Sequence, residues 1–177
     1  NQVSIAATSR LVRPSDGQEL VRAVIGQRYY FADQEATIPG LPVRDSSQTP
    51  LILGLGGRIA QNWSADVGVQ YKFSGGQNVE KFTTAVRYSP APAAVASISY
   101  RYISQDYTAG AGTINTMDAA AQWPLGSGFY GVGRISYDLD GSKVVESLAG
   151  VEYNAGCWIV RAVAQQFQTA TAQQTTN

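Results

Sequence analysis

The sequence is poor in the residues that soluble enzymes use. Its 177 residues contain no histidine and one cysteine, and charged residues make up only 15% of the chain, against about 25% in an average soluble protein. Without histidine there is no Ser-His-Asp triad and there are few options for a metal site. We therefore expect neither catalysis nor a cofactor, and this length accommodates one domain.

Long apolar runs are also missing. No stretch of about 18 apolar residues occurs, which excludes a transmembrane helix. The start at Asn1 shows neither the basic residues nor the apolar segment of a signal peptide, so we expect a mature protein or an excised piece. Basic and acidic residues number 13 each, and this zero formal charge predicts no nucleic-acid partner.

What the sequence does contain is a two-residue alternation of apolar and polar side chains. From Trp63 to Phe73, the apolar residues Trp, Ala, Val, Val, Tyr and Phe alternate with Ser, Asp, Gly, Gln and Lys. Successive side chains of a strand point to opposite faces, so such a segment forms a strand with one apolar and one polar face. Strands joined directly by turns form an antiparallel meander. The pattern predicts ten strands, at 2–12, 19–32, 51–61, 63–74, 80–89, 94–106, 114–123, 128–138, 144–154 and 157–168.

The charged residues fall on the polar phase of this alternation, in the middle of the predicted strands. A basic residue that faces lipid at mid-membrane costs about 2–4 kcal/mol in an outer-membrane barrel. We therefore interpret the chain as all-β, an antiparallel up-and-down transmembrane β-barrel whose charges face a wet lumen. There they are solvated or pair with Asp66, Asp118, Glu146 and Glu152. The candidate lumenal basic residues are Arg22, Arg28, Arg58, Lys72, Lys81, Arg87, Arg101, Arg134 and Arg161.

Aromatic residues gather at the ends of the predicted strands. Two such girdles are typical of proteins that cross a membrane, because amphipathic rings favour the headgroup layer. The alternative is that aromatic residues are simply good strand formers. The middle of the apolar phase holds valine, alanine, isoleucine and leucine instead, which favours the girdle. The candidate belt is Trp63, Tyr88, Trp123, Tyr153 and Trp158.

The predicted connections alternate in length. In outer-membrane barrels the short turns are periplasmic and the longer loops are extracellular, and we expect the same orientation here. The short connections are 13–17, 61–62, 90–93, 124–128 and 154–156, and the longer ones are 34–50, 74–79, 106–113, 139–143 and 168 onward.

Several segments resemble the C-terminal barrel region of LptD, the family of outer-membrane proteins that assemble lipopolysaccharide. The segments are Gln27-Arg28-Tyr29-Tyr30-Phe31, Tyr100-Arg101-Tyr102, Ala-Gln-Trp-Pro-Leu at 121–125, Leu-Ala-Gly-Val-Glu-Tyr-Asn-Ala-Gly-Cys-Trp at 148–158, and 160–167. The resemblance implies that the chain supplies about ten strands of a barrel of about 26. This barrel opens laterally between its first and last strands, so that the lipid enters the outer leaflet. The resemblance also implies four partners: lipopolysaccharide, an LptE-like lipoprotein plug in the lumen, a periplasmic lipopolysaccharide bridge, and membrane lipids.

The resemblance also bears on the two ends of the barrel. The sequence ends with the polar residues Gln173 to Asn177, where the family continues into a gate-forming strand. We therefore expect the final strand and the N-terminal periplasmic domain to be absent here. The family pattern implies a disulfide from Cys157 to that missing domain, which the periplasm permits. Some relatives carry two adjacent cysteines where this chain has Gly156 and Cys157, and the residues alone are equally compatible with a small buried cysteine.

Other interpretations stay open. The nine candidate basic residues outnumber the four acids, so the lumen attracts anionic sugars or an acidic plug, or the arginines merely brace it. The runner-up is an independent porin-like or structural barrel, which should end in an aromatic-terminated strand. The third is a soluble β-sandwich that binds carbohydrate through loops rich in tyrosine, tryptophan and asparagine.

Overall fold

The structure, a computed structural model, describes residues 2–30, 50–73, 79–105, 107–108 and 112–168. These residues form one antiparallel sheet, in which ten strands lie side by side in chain order. The strands are β1 (Gln2–Val12), β2 (Glu19–Tyr30), β3 (Leu51–Ala60), β4 (Trp63–Tyr71), β5 (Val79–Ala91), β6 (Ala94–Ile103), β7 (Ile114–Gly126), β8 (Phe129–Asp138), β9 (Lys143–Asn154) and β10 (Ile159–Phe167).

All ten predicted strands and their up-and-down order are confirmed. β4 and β6 end earlier than predicted, and β5 and β7 run on through Pro90 and Pro124, so two short turns shrink to 92–93 and 127–128. Ser127 and Gly128 both have positive φ, 52° and 82°, as a type I′ hairpin turn requires. The predicted strand residues 31–32, the loop 34–49 and the segment 169–177 lie outside the described residues.

The connections are mostly shorter at one end of the sheet than at the other, as the sequence predicts, although 139–142 is no longer than 155–158 and is shorter than 13–18. The short-turn end carries connections 13–18, 61–62, 92–93, 127–128 and 155–158. The long-loop end carries connections 31–50, 72–78, 104–113 and 139–142. Within the described ranges, no helix is long and apolar enough to cross a membrane.

The strand register places the two phases of the alternation on opposite faces of the sheet. We call them the apolar face and the polar face. One row of the apolar face consists of Ala23, Leu55, Val67, Thr84, Tyr100 and Met117, and the corresponding row of the polar face consists of Arg22, Gly56, Asp66, Ala85, Ser99 and Asp118. One face is therefore apolar across many strands, and the other collects the charges.

The sheet has no hydrophobic core of its own. Among the described residues, Ala94 is the only buried hydrophobic residue, whereas Leu55 and Ile98 on the apolar face expose 58% and 53% of their surface. A β-sandwich packs the apolar faces of two sheets together, so a single layer with this exposure contradicts the sandwich interpretation. An exposed apolar surface of this extent is a contact surface for a membrane or for another protein.

The sheet is also open. In the described residues β1 pairs with β2 and β10 pairs with β9, and no pairing joins β1 to β10. A ten-stranded independent barrel would close by that pairing, because an unpaired strand edge in lipid leaves backbone groups without partners. The arrangement therefore disfavours the small porin-like barrel and agrees with a segment of a larger one.

Candidate functional site

Eight of the nine candidate basic residues occupy the polar phase of the register, and the ninth, Lys72, lies outside the strands. A single row across β3 to β8 contains Arg58, Ser64, Arg87, Ser97, Ala120 and Arg134. Arg22 lies opposite Gly56, Arg101 opposite Thr83 and Thr116, Lys81 opposite Gln70, and Arg161 opposite Glu152. Lys72 directly follows β4, and Arg28 holds the backbone position opposite Ser4, although its side chain lies outside the described part of the structure.

In strands β7 to β10, arginines of the polar face contact carboxylates. Arg134 Nη2 lies 3.2 Å from Asp118 Oδ1 on the neighbouring strand. Arg161 Nε donates to Glu152 Oε2 at 2.7 Å, directly across the β9–β10 pair. The Asp118 and Glu152 side chains are only 18% and 16% exposed, so these pairs are better shielded than ordinary surface ion pairs. We call the polar face of β7–β10 the paired half.

Glu146 departs from the predicted pairing with a basic residue. Its Oε1 accepts a hydrogen bond at 2.8 Å from the side-chain amide of Gln165 on β10. The register explains this partner, because Gln165 lies opposite Leu148, one diagonal step from Glu146. The two-residue alternation predicts the face on which a side chain lies, but it does not predict which diagonal neighbour the side chain contacts.

A glycine allows an ion pair to reach across a strand. Arg22 Nη2 on β2 lies 3.7 Å from Asp66 Oδ1 on β4, with Gly56 of β3 between them. A Cβ atom at Gly56 would collide with that Asp66 oxygen. On the other side, Arg22 and Arg10 both approach Glu19, at 3.9 and 3.6 Å. Arg10, Glu19, Arg22 and Asp66 therefore form one chain of alternating sign.

The polar face of β3 to β6, here called the basic half, is different. Within the described residues, no ion pair involves Arg58, Lys81, Arg87 or Arg101. Asp66, the one acid on the strand interiors there, contacts Arg22. Glu80, at a register irregularity of β5, accepts a hydrogen bond from the Gln70 amide at 2.7 Å. The basic half therefore carries an excess of positive charge.

The five candidate belt residues gather at the short-turn end in two clusters. The ring centroids of Trp63 and Tyr88 are 4.6 Å apart, and Trp123 stacks beyond Tyr88 at 6.5 Å. In the second cluster, Tyr153 lies 5.3 Å from Trp158 and 4.6 Å from Phe129, another aromatic residue beside a short turn. These contacts each contribute about 0.5–1.5 kcal/mol beyond the burial of area. The large rings remain accessible, since Trp63, Trp123 and Trp158 expose 42%, 42% and 52% of their surface.

Cys157 lies in the turn that joins β9 to β10, at the short-turn end, and its thiol is exposed and free. The Asn154 Oδ1 atom accepts a hydrogen bond from the Gly156 N–H at 2.8 Å, and the Ala155 N–H donates to the Trp158 carbonyl at 3.0 Å. Gly156 adopts φ +85°, a conformation that glycine adopts without strain. The turn therefore presents Cys157 outward, in contrast to the buried alternative.

Comparisons with known proteins now place this sheet in a family. The LptD family model, described as LPS transport system D, matches residues 1–129. The chain belongs to the LptD family. The resemblance seen in the sequence is thereby confirmed.

Curated LptD relatives match nearly all of the chain. It is similar to the LPS-assembly protein LptD of Aromatoleum aromaticum, with 40% identity over 96% of the chain and 20% of the relative. It is also similar to the LPS-assembly proteins LptD of Thiobacillus denitrificans and Azoarcus sp. strain BH72. The identity is 37% over 99% of the chain and 23% of the relative for the first, and 39% over 96% and 21% for the second. The chain spans about a fifth of the length of these relatives and matches their C-terminal part.

Proposed function

We propose that this chain forms part of the wall of an outer-membrane β-barrel that assembles lipopolysaccharide into the outer leaflet. The observation that carries the proposal is a single open sheet of an LptD-family chain, with one exposed apolar face and one charged face. In this account the apolar face contacts lipid chains, the two aromatic clusters lie at the headgroup layer, and the polar face lines the lumen.

The orientation and partners follow from the family. The short-turn end faces the periplasm and the long-loop end faces the outside, as in other outer-membrane barrels. The full-length protein adds further strands, up to about 26, together with a periplasmic domain that receives lipopolysaccharide from the periplasmic bridge. An LptE-like lipoprotein plugs the lumen, and the lipid leaves through a lateral gate between the first and last strands. The chain is a conduit, so none of its residues is assigned a catalytic role.

Depletion of the full-length protein in the bacterium tests this function. Lipopolysaccharide at the cell surface is measured with an impermeant label, and total lipopolysaccharide is measured in the same cells. The proposal expects surface lipopolysaccharide to fall while lipopolysaccharide accumulates in the inner membrane. Unchanged delivery to the surface would contradict it.

The disulfide of Cys157 is a separate proposal, supported by the family pattern and by the exposure of the thiol. Full-length protein is extracted from outer membranes with free thiols blocked, and its gel mobility is compared with and without reductant. We expect a reductant-sensitive shift that Cys157→Ser abolishes. A mobility that does not change, together with a free and alkylatable thiol, would show that Cys157 is unpaired.

A further inference from the structure

The positive charges of the basic half are distributed both across the strands and along them. Arg58 and Arg87 both lie opposite Ser64, one on each side. Their Cα atoms are therefore two strand spacings apart, about 9.5 Å. Arg101 lies one strand further on, opposite Thr83, which places it about 13 Å along the strand direction from Arg87.

Lys81 lies closer to the long-loop end than these three arginines. It precedes Thr83 by two residues on the same face of β5 and lies opposite Gln70. We call Arg58, Arg87, Arg101 and Lys81 the basic track. The track begins beside the short-turn end and reaches the neighbourhood of the long-loop end, so it spans most of the length of the strands.

The protein does not neutralise this track, although it neutralises arginines elsewhere on the same face. Opposite charges on neighbouring strands stabilise a sheet, so an acid beside each arginine would be favourable. Arg134 and Arg161 have such an acid, whereas the basic track has none among the described residues. The guanidinium groups of Arg58, Arg87 and Arg101, all on exposed residues, are therefore available to an external anion. Arginine binds phosphate through two parallel hydrogen bonds.

The side chains around the track fit a sugar better than a protein surface. Ser64, Ser97, Ser99 and Thr83 lie beside the arginines in the register, and hydroxyl groups both donate and accept hydrogen bonds. A stable protein interface is centred on buried aromatic or aliphatic side chains. The rows of the polar face from Arg58 to Arg101 hold no such side chain on β3–β6, and the row of Lys81 holds Ile52 and Ile103. The paired half holds several. The apolar residues of that half include Val132, Leu148 and Val163.

We propose that the basic track binds the oxyanion groups, phosphate above all, of the glycan part of lipopolysaccharide as it passes along the polar face. The inference rests on the proposed function, because it takes the polar face as the wall of the conduit. Spaced cations let one anionic group exchange between neighbouring sites, so that the glycan is held at each position only briefly. The paired half then serves as support and as the surface for apolar partners.

A photoreactive residue in place of Ser97, next to Arg87 in the register, reports what lies on the track in full-length protein in living cells. The same residue in place of Leu148, in the same row of the paired half, is the matched position. Crosslinked lipopolysaccharide is measured relative to folded protein in the outer membrane. We expect crosslinking to lipopolysaccharide at Ser97 well above that at Leu148, and a loss at Ser97 in cells whose glycan lacks phosphate.

Charge variants of the track complete the test. The triple variant R58Q/R87Q/R101Q should lower crosslinking at Ser97 by about tenfold or more, since each charged hydrogen bond contributes about that factor. The triple lysine variant keeps the charge and should retain most of the crosslinking at Ser97. E152Q/R161Q removes an ion pair of the paired half without changing the net charge and should leave crosslinking at Ser97 unaltered. If the triple glutamine variant does not fold, R87Q alone provides the measurement.

Three outcomes would overturn the proposal: crosslinking of Ser97 to a protein instead of lipopolysaccharide, crosslinking that does not respond to the glutamine variants, and crosslinking that does not depend on glycan phosphate. If surface delivery of lipopolysaccharide still requires the protein in these cells, the basic track alone has failed and the proposed function stands. If delivery does not require the protein, both fail together.

Discussion

The paired half and the basic half belong to the same face of one sheet, yet they treat charge in opposite ways. In the paired half Arg134 and Arg161 each contact a shielded carboxylate. In the basic half Arg87 lies between Ser64 and Ser97, and no ion pair involves it within the described residues. The two halves have the same two-residue alternation, so the alternation predicts a polar face but does not predict whether its charges are paired. The residues on the neighbouring strands determine the pairing.

The largest expected effect tests the face assignment on which both halves depend. Ile98 and Ser99 are neighbours on β6 and lie on opposite faces. Ile98→Arg places a charge in lipid and should lower the free energy of unfolding by about 2–4 kcal/mol. Ser99→Arg lies on the polar face beside Asp118 and should change it by less than about 1 kcal/mol. Denaturant unfolding of the full-length protein in bilayers measures both, and equal losses would break the assignment.

A smaller effect should separate the two halves directly. Arg134→Gln leaves the Asp118 carboxylate, 18% exposed, without its cation and should cost about 1 kcal/mol. Arg87→Gln removes a charge that lies between two serines and has no ion pair within the described residues, so it should leave the stability within about 0.5 kcal/mol. The same unfolding measurement compares the two variants. A larger loss for Arg87→Gln would mean that an acid outside the described residues neutralises Arg87, and the comparison would fail.

The smallest effect concerns the link between β2 and β4. In Gly56→Ala the new methyl group displaces the Asp66 carboxylate and should weaken its pair with Arg22, at a cost of about 0.5 kcal/mol. Gly54→Ala is the control, because a Cβ atom there meets only Val24 Cβ, at 3.7 Å. The difference between the two variants isolates the ion pair. If Gly54→Ala destabilises as much, crowding in β3 explains the loss and the bridge contributes nothing.

Much of this fold could be predicted from the sequence, because each strand carries its own two-residue pattern. Where that pattern is unbroken, as in β4, the strand and both its faces follow from local residues. The prediction was wrong at two strand ends. It placed Pro90 and Pro124 in turns, but β5 and β7 continue through them, because proline is tolerated near the end of a strand. The location of Trp63, Tyr88 and Trp123 at the short-turn end could be predicted as well, because these residues adjoin short turns.

The ion pairs could not be predicted in the same way. The pair of Arg22 with Asp66 crosses a whole strand and depends on the missing side chain of Gly56. Whether Glu146 meets a base or Gln165 depends on a diagonal neighbour. The split into a paired half and a basic half therefore arises from the register between strands, which a single sequence encodes only through all its turns and bulges together.

A scan of β6 in the full-length protein tests whether the apolar face contacts lipid and the polar face contacts water. Each residue from Ser97 to Arg101 is replaced in turn by cysteine in a Cys157→Ser background and labelled with a fluorophore. Quenchers are then added, one dissolved in water and one attached to lipid chains. We expect positions 97, 99 and 101 to respond to the aqueous quencher and positions 98 and 100 to the lipid quencher. A strand in which neighbouring positions respond to the same quencher would contradict this expectation.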